Sequence, residues 1–314
     1  MATILLPSQI FEYSLLQLIQ LLGSANDSDH IIVDFSHVNY YVPGAVVALI
    51  TKFHRWHLEG KKVTARNIKQ SPAYKYLQRI DFFTNCGIDL EEDFCRHPST
   101  GRFVPVSRIT YDTDSLATEI ATCMEPILAE SDDIEITGPF DYFEYSISEL
   151  GNNAIQHSKG TGFASAQYTP TSDYIRVAVA DTGIGIKNSF EENASPHYLP
   201  HIDDIEAIKI ALTPEVSSKT HLHGWGSSPN AGVGLSLLWH TVHSLNGKFT
   251  IISGNGYLST DAVHCLNDNV SFKGTLCTFL FKRSMLNNFN ELLNKTKIEL
   301  GLIKDPNAFE DLFI

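Results

Sequence analysis

Two polar residues, Glu149 and Asn153, stand four positions apart in a segment whose apolar residues recur at helical spacing. The apolar positions of that predicted helix are Phe143, Ile147, Leu150 and Ala154. The four-residue spacing places Glu149 and Asn153 together beside this apolar stripe. A carboxylate next to buried surface costs free energy unless it has a partner. A bound metal–nucleotide with its attacking water would supply one, whereas an ordinary amphipathic helix with a polar edge is the alternative.

A second candidate lies where a predicted strand meets the glycine-rich segment Asp181-Thr182-Gly183-Ile184-Gly185-Ile186. Residues 174 to 180 alternate with period two, and Asp181 falls on the face of the bulky aliphatic residues. If that face meets the helical layer, Asp181 points into the space beside Glu149 and Asn153. Taken alone, the segment also fits an ordinary Asp-Thr-Gly turn that closes a strand.

A third candidate is Gly232-Val233-Gly234-Leu235, which opens a predicted helix that continues to Leu245. Bare backbone amides at the start of a helix suit phosphate oxygens. A weaker element, Gly274-Thr275, precedes a predicted strand from Leu276 to Lys282. The chain contains neither a GxxxxGK[ST] sequence nor a GxGxxG sequence between strand and helix. A P-loop and a dinucleotide-binding fold are therefore not expected.

These elements occur in the order E-L-x-x-N-A-x-x-H, D-x-G-x-G-I, G-x-G-L and G-T. That order resembles the ATP-binding domain shared by DNA gyrase, Hsp90, histidine kinases and MutL, the GHKL superfamily. The resemblance covers roughly residues 105 to 284. It implies the α/β (α+β) class, as a Bergerat α/β sandwich with helices on one face of a mixed sheet. The family usually has glycine where this chain has Asn230, a mild change because asparagine tolerates positive φ.

The resemblance implies ATP and Mg²⁺ as ligands and a role for each residue. Asn153 would bind Mg²⁺, and Glu149 would act as general base or orient the nucleophile. Asp181 would accept the adenine amino hydrogen, with Thr275 or Thr278 nearby. The residues expected to shape the pocket are Gly183, Gly185, Ile186, Gly232, Val233, Gly234 and Leu235.

Residues 187–231 form a long stretch of mixed polarity, at the point where the family has an ATP lid. A short helix is expected within it from Asp203 to Leu212. The stretch also holds histidines that could be mistaken for metal ligands: His197, His201, His221 and His223. No Cys pair or HExxH spacing accompanies them, so a metal site there is not expected.

The first hundred residues alternate strands and helices, which is typical of a small α/β layer domain. Its features resemble those of STAS domains, the fold of anti-anti-sigma factors: Ile32-Val33-Asp34-Phe35, a turn into Gly44, Glu59-Gly60-Lys61-Lys62, and Leu77 to Phe83. Phosphorylated members carry a serine just before the helix-opening glycine, where this chain has Pro43. A docking or dimerisation role is therefore expected, and an α/β domain of unrelated ancestry is the alternative.

The predicted organisation is a STAS-like domain (1–97), a linker (98–108), the GHKL domain (109–284) with its lid (187–231), and a helical tail (285–314) that packs or dimerises. The linker is turn-rich and short. A histidine kinase needs a long two-helix element with a phosphoacceptor histidine before its ATPase domain. The linker has no room for one, so that class is rejected.

Composition indicates a globular protein, since 43% of the 314 residues are hydrophobic and 19% are charged. The net charge of −13 argues against a broad nucleic-acid or anionic-membrane surface. Five cysteines without a CxxC pair favour a reduced, cytoplasmic location. No apolar run reaches the length of a membrane span, and the N-terminus lacks the basic region of a signal peptide.

Three functions fit these observations. The favoured one is an ATP- and Mg²⁺-binding regulatory protein, expected to form a homodimer, whose nucleotide binding or hydrolysis controls a partner such as a STAS-domain or effector protein. The second is a serine/threonine protein kinase of the anti-sigma-factor type. The third is a scaffold in which ATP has a structural role. The first two make the chain an enzyme.

Overall fold

The structure of the chain, a computed structural model, describes residues 1–110, 112–128, 138–197, 199–214, 216, 233–267 and 270–304. The strands are β1 (Ala2–Leu5), β2 (Gln9–Ile10), β3 (His30–Asp34), β4 (Tyr40–Tyr41), β5 (Lys62–Arg66), β6 (Phe103–Ile109), β7 (Gly162–Thr169), β8 (Tyr174–Asp181), β9 (Lys248–Gly254), β10 (Gly256–Ser259), β11 (Val263–Cys265) and β12 (Phe272–Lys282). The helices are α1 (Leu15–Gly23), α2 (Pro43–Leu58), α3 (Tyr74–Arg79), α4 (Phe82–Asn85), α5 (Thr113–Leu128), α6 (Gly138–Asn152), α7 (Ile186–Glu192), α8 (Asp204–Ala211), α9 (Gly234–Ser244) and α10 (Phe289–Glu299).

Seven strands form one sheet in the order β11-β10-β9-β12-β8-β7-β6. Each neighbouring pair in it is antiparallel. The predicted α+β class agrees with this arrangement, but the predicted mixed sheet is wrong here. Antiparallel neighbours can be joined by short hairpins, and the chain supplies such connections between β7 and β8 and between β9 and β10.

One face of this sheet is covered by α5, α6 and α9. The predicted apolar stripe of α6 and its continuation is confirmed, because Phe143, Ile147, Leu150 and Ala154 are each at most 3% exposed. The alternation along β8 is confirmed too. Val177 and Val179 belong to the core beneath these helices, whereas Ala178 and Ala180 belong to the core on the opposite face.

The opposite face of the large sheet is covered by the N-terminal segment. A three-stranded parallel sheet, in the order β1-β3-β5, lies in this segment together with α2. The first nine residues of α2, from Pro43 to Thr51, are all buried, as expected of a helix covered on several sides, whereas its last two turns also carry basic residues. It packs against β7, β8 and β12 as well as β5, and Gly44 at its start lies against Thr278. The N-terminal segment and the large sheet therefore share one hydrophobic core.

The segment predicted to be a linker, 98–108, contains a turn and most of strand β6. Its turn is present, since the Ser99 carbonyl accepts hydrogen bonds from the amides of Arg102 and Phe103. The chain then enters β6, an edge strand of the large sheet. In β6, Val104, Val106 and Ile109 are buried, so the segment contributes to the core rather than only connecting two domains. The predicted domain limits themselves stay predictions.

The described part of the C-terminal tail packs within the chain. The Phe289 ring of α10 lies 5.1 Å from that of Tyr142 in α6, measured between centroids. Ser244 and Thr296 join α9 to α10 through their hydroxyl groups, 3.3 Å apart. This helix therefore supports α6, which carries Glu149, whereas dimerisation stays a prediction.

A buried ion pair crosses from the N-terminal segment to the large sheet. Arg176 of β8 lies on the same face as Ala178, and its Nε donates to Glu12 Oε1 at 2.7 Å. The two side chains are only 8% and 12% exposed. Arg176 also donates to Thr169 Oγ1 at 3.0 Å and lies over the Tyr174 ring. Removing one partner of such a pair leaves an uncompensated buried charge.

We expect Glu12→Ala to lower the free energy of unfolding by about 3 kcal/mol, because Arg176 keeps its charge without a counter-ion. Urea denaturation measures the change, and a single transition is expected because the two parts share a core. The matched control is Glu299→Ala, which breaks the exposed pair with Lys295 and should cost less than about 1 kcal/mol. If Glu12→Ala and Glu299→Ala lower the free energy of unfolding equally, the structural role of the Glu12–Arg176 pair is contradicted.

Candidate functional site

Helix α6 does not stop at Asn152 but widens into a π-helical turn, Asn153–His157. The Ser158 hydroxyl then donates to the Ala154 carbonyl at the end of this turn. Ala154 is buried, and its side chain packs closely against Gly162 of β7, where an added Cβ would be crowded. Short π-helical segments are rare and occur often at functional sites. The irregular turn begins at Asn153, the residue predicted to hold Mg²⁺.

The adjacent asparagines Asn152 and Asn153 have different surroundings. The Asn152 amide oxygen accepts hydrogen bonds from Thr113 at 2.8 Å and from Gln156 at 3.3 Å, and its nitrogen donates to Ser148 at 3.3 Å. Asn152 thus ties α6 to α5. Asn153 is half-buried, and its side chain makes no hydrogen bond within the described ranges. Its amide oxygen is therefore available to a ligand.

Glu149 lies one turn before Asn153 and is half-buried. Burial raises the pKa of the Glu149 carboxyl above its ordinary value; the hydrogen bond from Tyr145 lowers that pKa, and the nearby Asp114 charge raises it. Gly234, at the start of α9, lies directly against this carboxyl group, and a Cβ added there would collide with it. The structure therefore brings together two residues predicted from separate motifs.

The Asp181 carboxyl is only 3% exposed, at the end of β8. Its Oδ1 accepts a hydrogen bond from the Gly183 amide at 2.7 Å, and its Oδ2 accepts one from the Thr275 amide at 3.2 Å. Burial raises the pKa of Asp181 to about 7, despite these hydrogen bonds. Each carboxylate oxygen can accept more than one hydrogen bond, so the group can still receive a donor from a ligand.

The segment from Asp181 to Ile186 is held against the end of the π-helical turn. The Ile184 amide donates to the Ser158 carbonyl at 2.9 Å, and Gly183 lies so close to this carbonyl that a Cβ would overlap it. Gly185 has a φ of +81°, a conformation that side chains disfavour. These glycines thus have a steric role in the turn, whatever binds there.

Ser253 and Gly274 complete this wall of the site. The Ile186 amide donates to Ser253 Oγ at 2.9 Å, and Ser253 Oγ donates to the Gly274 carbonyl at 3.1 Å. Gly274 has a φ of +121° at a β-bulge in β12, and a Cβ there would strike the Asp181 carbonyl. The bulge turns the Thr275 amide toward the Asp181 carboxyl.

Part of the predicted lid is packed against the rest of the chain. Helix α8 begins with a reciprocal cap between Asp203 and Glu206, as the predicted helix requires. Asp204 accepts a hydrogen bond from the Asn255 amide at 2.9 Å, and Ile208 enters the main helical core. Phe190, Ile202 and Ala207 form a small core between α7 and α8. Gly232 and residues 217–231 lie outside the described residues.

The structure therefore places the predicted residues in two groups. The Gly183 and Thr275 amides both donate to the Asp181 carboxyl, and Glu149 lies against Gly234. Val233 precedes α9, where its carbonyl accepts from the Leu237 amide, and Leu235 is partly buried beside the helical core. Ser158 and Ser253 were not predicted, because single serines carry no periodic or motif signal.

No group of three or more His, Cys, Asp or Glu side chains that could hold a metal occurs in the part of the chain that the structure describes. A magnesium ion bound with a nucleotide needs few protein ligands, since phosphates and water complete its shell. The available Asn153 amide oxygen fits that requirement. His197 and His201 belong to no such group, and His221 and His223 lie outside the described residues.

The chain is similar to the phosphate regulon sensor protein PhoR of Haemophilus influenzae, with 25% identity over 207 residues. The aligned part covers 64% of this chain and 42% of that protein, so this chain spans less than half of its relative. No family model matches the chain, and no solved structure matches it. Among the described helices, none has both the length and the apolar character needed to cross a membrane.

We expect the Asp181 carboxyl to make stability depend on pH. Its pKa is about 7 in the fold and 3.8 in an ordinary setting, so the folded protein retains a proton that the unfolded chain releases. This contribution to stability is complete below about pH 4 and is lost as pH rises through about 7. The loss is on the order of 4 kcal/mol.

The measurement is urea denaturation of the wild type and of Asp181→Asn at several pH values. Asparagine cannot titrate, so the wild type should lose stability relative to the variant as pH rises from about 4 to 8. A difference in unfolding free energy that does not depend on pH is also expected, because asparagine has only one of the two acceptor oxygens of Asp181. If the difference in unfolding free energy stays the same at every pH, the raised pKa is contradicted.

Proposed function

We propose that this chain is an ATP- and Mg²⁺-binding regulatory protein with a GHKL-type domain at 109–284. One observation carries the proposal: residues chosen from motifs far apart in the sequence contact one another. The amide of Thr275 donates to Asp181 across 94 positions, and Gly234 lies against Glu149. These contacts between distant motifs support a GHKL-type arrangement.

The chemistry of the residues fits a bound nucleotide. The buried Asp181 carboxyl, with acceptor capacity left, suits the adenine amino group. The Asn153 amide oxygen, which accepts no hydrogen bond from the described residues, suits Mg²⁺, which would neutralise phosphate charge when bound. Glu149 has a pKa raised by burial, and it would accept a proton from, or orient, an attacking water. The amides at the start of α9 suit phosphate oxygens.

The regulatory role rests on the N-terminal segment, which we propose to be a STAS-like module at 1–97. Pro43 is buried at the start of α2, and it has no hydroxyl group that could accept a phosphate. The module lies on the sheet face opposite α6 and is therefore in contact with the nucleotide domain. We propose that nucleotide binding or hydrolysis controls a partner protein, in a cytoplasmic homodimer.

A second candidate is a serine/threonine kinase of the anti-sigma-factor type. The similarity to a phosphate regulon sensor protein supports an ATP-binding, kinase-like role in general terms, without indicating a substrate. A scaffold that binds ATP without turnover is the remaining candidate. The three candidates differ in the fate of the ATP γ-phosphate, which is released, transferred to a protein or left in place. An assay that follows this phosphate therefore distinguishes them.

We expect Asn153→Ala to weaken binding of ATP in the presence of Mg²⁺ at least about tenfold, because the metal loses its protein ligand. Isothermal titration calorimetry measures the dissociation constant. The matched control is the neighbouring Asn152→Ala, which loses contacts with α5 and so should lower stability while leaving ATP affinity within about twofold. Equal effects of the two variants on affinity would contradict the assignment of Asn153.

We expect Glu149→Gln to bind ATP with Mg²⁺ as the wild type does but to lose turnover by about a hundredfold or more. The assay uses ATP labelled at the γ-phosphate, with and without cell extract. Label released as phosphate supports the regulatory ATPase, and label on a protein supports the kinase. Wild-type binding without either product supports the scaffold, and turnover unchanged in the variant removes Glu149 from the chemistry.

A further inference from the structure

Four basic side chains from two distant parts of the sequence meet on the side of the large sheet away from α6. Lys52 and Arg55 lie in α2, Lys61 follows that helix, and Lys273 belongs to β12. We name Lys52, Arg55, Lys61 and Lys273 the cationic cluster. The chain as a whole carries a net charge of −13, so its composition does not lead one to expect a local group of four cations.

Glu59 lies at the centre of the cationic cluster. Its carboxyl oxygens lie 3.0 Å from Arg55 Nε, 3.4 Å from Lys61 Nζ and 3.9 Å from Lys273 Nζ. One carboxylate therefore faces three cations. Burial raises the pKa of Glu59, but hydrogen bonds from Arg55 and Lys61 and the cationic charges leave it lowered. Glu59 thus acts as an internal anion that neutralises one of the positive charges.

Lys52 has no carboxylate within ion-pair distance in the described ranges. Its Nζ donates to Asn26 Oδ1 at 2.6 Å and lies 5.5 Å from the centre of the Trp56 ring, while Lys61 donates to the Asn26 carbonyl. Asn26 therefore holds two ammonium groups near each other. Burial chiefly lowers the pKa of Lys52 to about 8, and the other members of the cluster lower it further, whereas Glu59 opposes them.

The charge of the cluster indicates which kind of ligand it suits. The cluster provides four cations against one carboxylate, and like charges held together cost free energy unless an anion compensates them. The site is open to solvent, because the side chains of Lys273 and Arg55 are 54% and 29% exposed. Arg55 has further N–H donors beyond the two that contact Glu59 and Thr182, and these donors and the ammonium groups suit the oxygens of a phosphate. A dianion matches the excess charge better than a carboxylate.

We propose that the cationic cluster is a second anion site, which binds inorganic phosphate or a phosphate monoester. The site is separate from the proposed nucleotide pocket, and it does not depend on that proposal. It is nevertheless adjacent to the segment that begins at Asp181. Arg55 Nη1 donates to the Thr182 carbonyl at 3.4 Å, and Lys273 directly precedes Gly274, which lies against Asp181.

Two substitutions with opposite expected effects test the site. Lys273→Gln removes a cation from an exposed position and should weaken phosphate binding about tenfold, the effect of one charge-assisted hydrogen bond. Glu59→Gln removes the internal competitor and should tighten binding about tenfold. Isothermal titration calorimetry with inorganic phosphate, in the absence of nucleotide and Mg²⁺, measures both. The matched control is Lys295→Gln, an exposed lysine of α10 that should leave binding unchanged.

Tighter phosphate binding by Glu59→Gln distinguishes an anion-binding site from a cluster with only a structural role. A structural cluster would gain no affinity for phosphate from this substitution. The proposal is overturned if wild type binds no phosphate at millimolar concentration or if both substitutions leave the affinity unchanged. Asn153→Ala should bind phosphate as wild type does, so failure of the nucleotide site would be seen separately. A phosphoserine peptide that binds more tightly than inorganic phosphate supports a phosphoprotein as the source, and equal affinity supports the free ion.

Discussion

The Asp181 carboxyl group is buried where three segments of the chain meet. Its two oxygens accept hydrogen bonds from Gly183, two residues later, and from Thr275, on the neighbouring strand. These bonds fasten the turn after β8 to the bulge in β12, and the Ser158 carbonyl holds the same turn from the side of α6. A buried carboxyl needs such partners to be tolerated. Gly183 and Gly274 allow these segments to meet, because a Cβ at either position would collide with a backbone carbonyl, that of Ser158 or that of Asp181.

The large sheet separates two hydrophobic cores. Along β8, Val177 and Val179 pack beneath the helices that carry Glu149 and Asn153, whereas Ala178 and Ala180 pack beneath the N-terminal segment. Each face therefore receives every second residue of the same strand. One strand therefore fixes residues in both cores, and just after it the Thr182 carbonyl accepts a hydrogen bond from Arg55 of α2.

The elements with strong periodicity could be predicted from the sequence. The stripe of α6 and the alternation of β8 were visible because burial repeats with the period of each element. Strand β7 was missed, since its small residues do not alternate in polarity. The π-helical turn at Asn153, the parts played by Ser158 and Ser253, and the cover over Ala178 could not be predicted. They arise from contacts between segments that are distant along the chain, and such contacts leave no local pattern.

The shared core beneath α2 has a consequence for the history of the protein. Modules joined by a flexible linker can be exchanged by recombination, because each keeps its own interior. Here Phe163, Ala180 and Ile252 of the large sheet are interior residues only when the N-terminal segment covers them. A gene fragment that encoded the sheet without this segment would yield a chain with an apolar face in water. Substitutions in the N-terminal segment are therefore expected to be constrained by the residues of the large sheet that they cover, and the reverse.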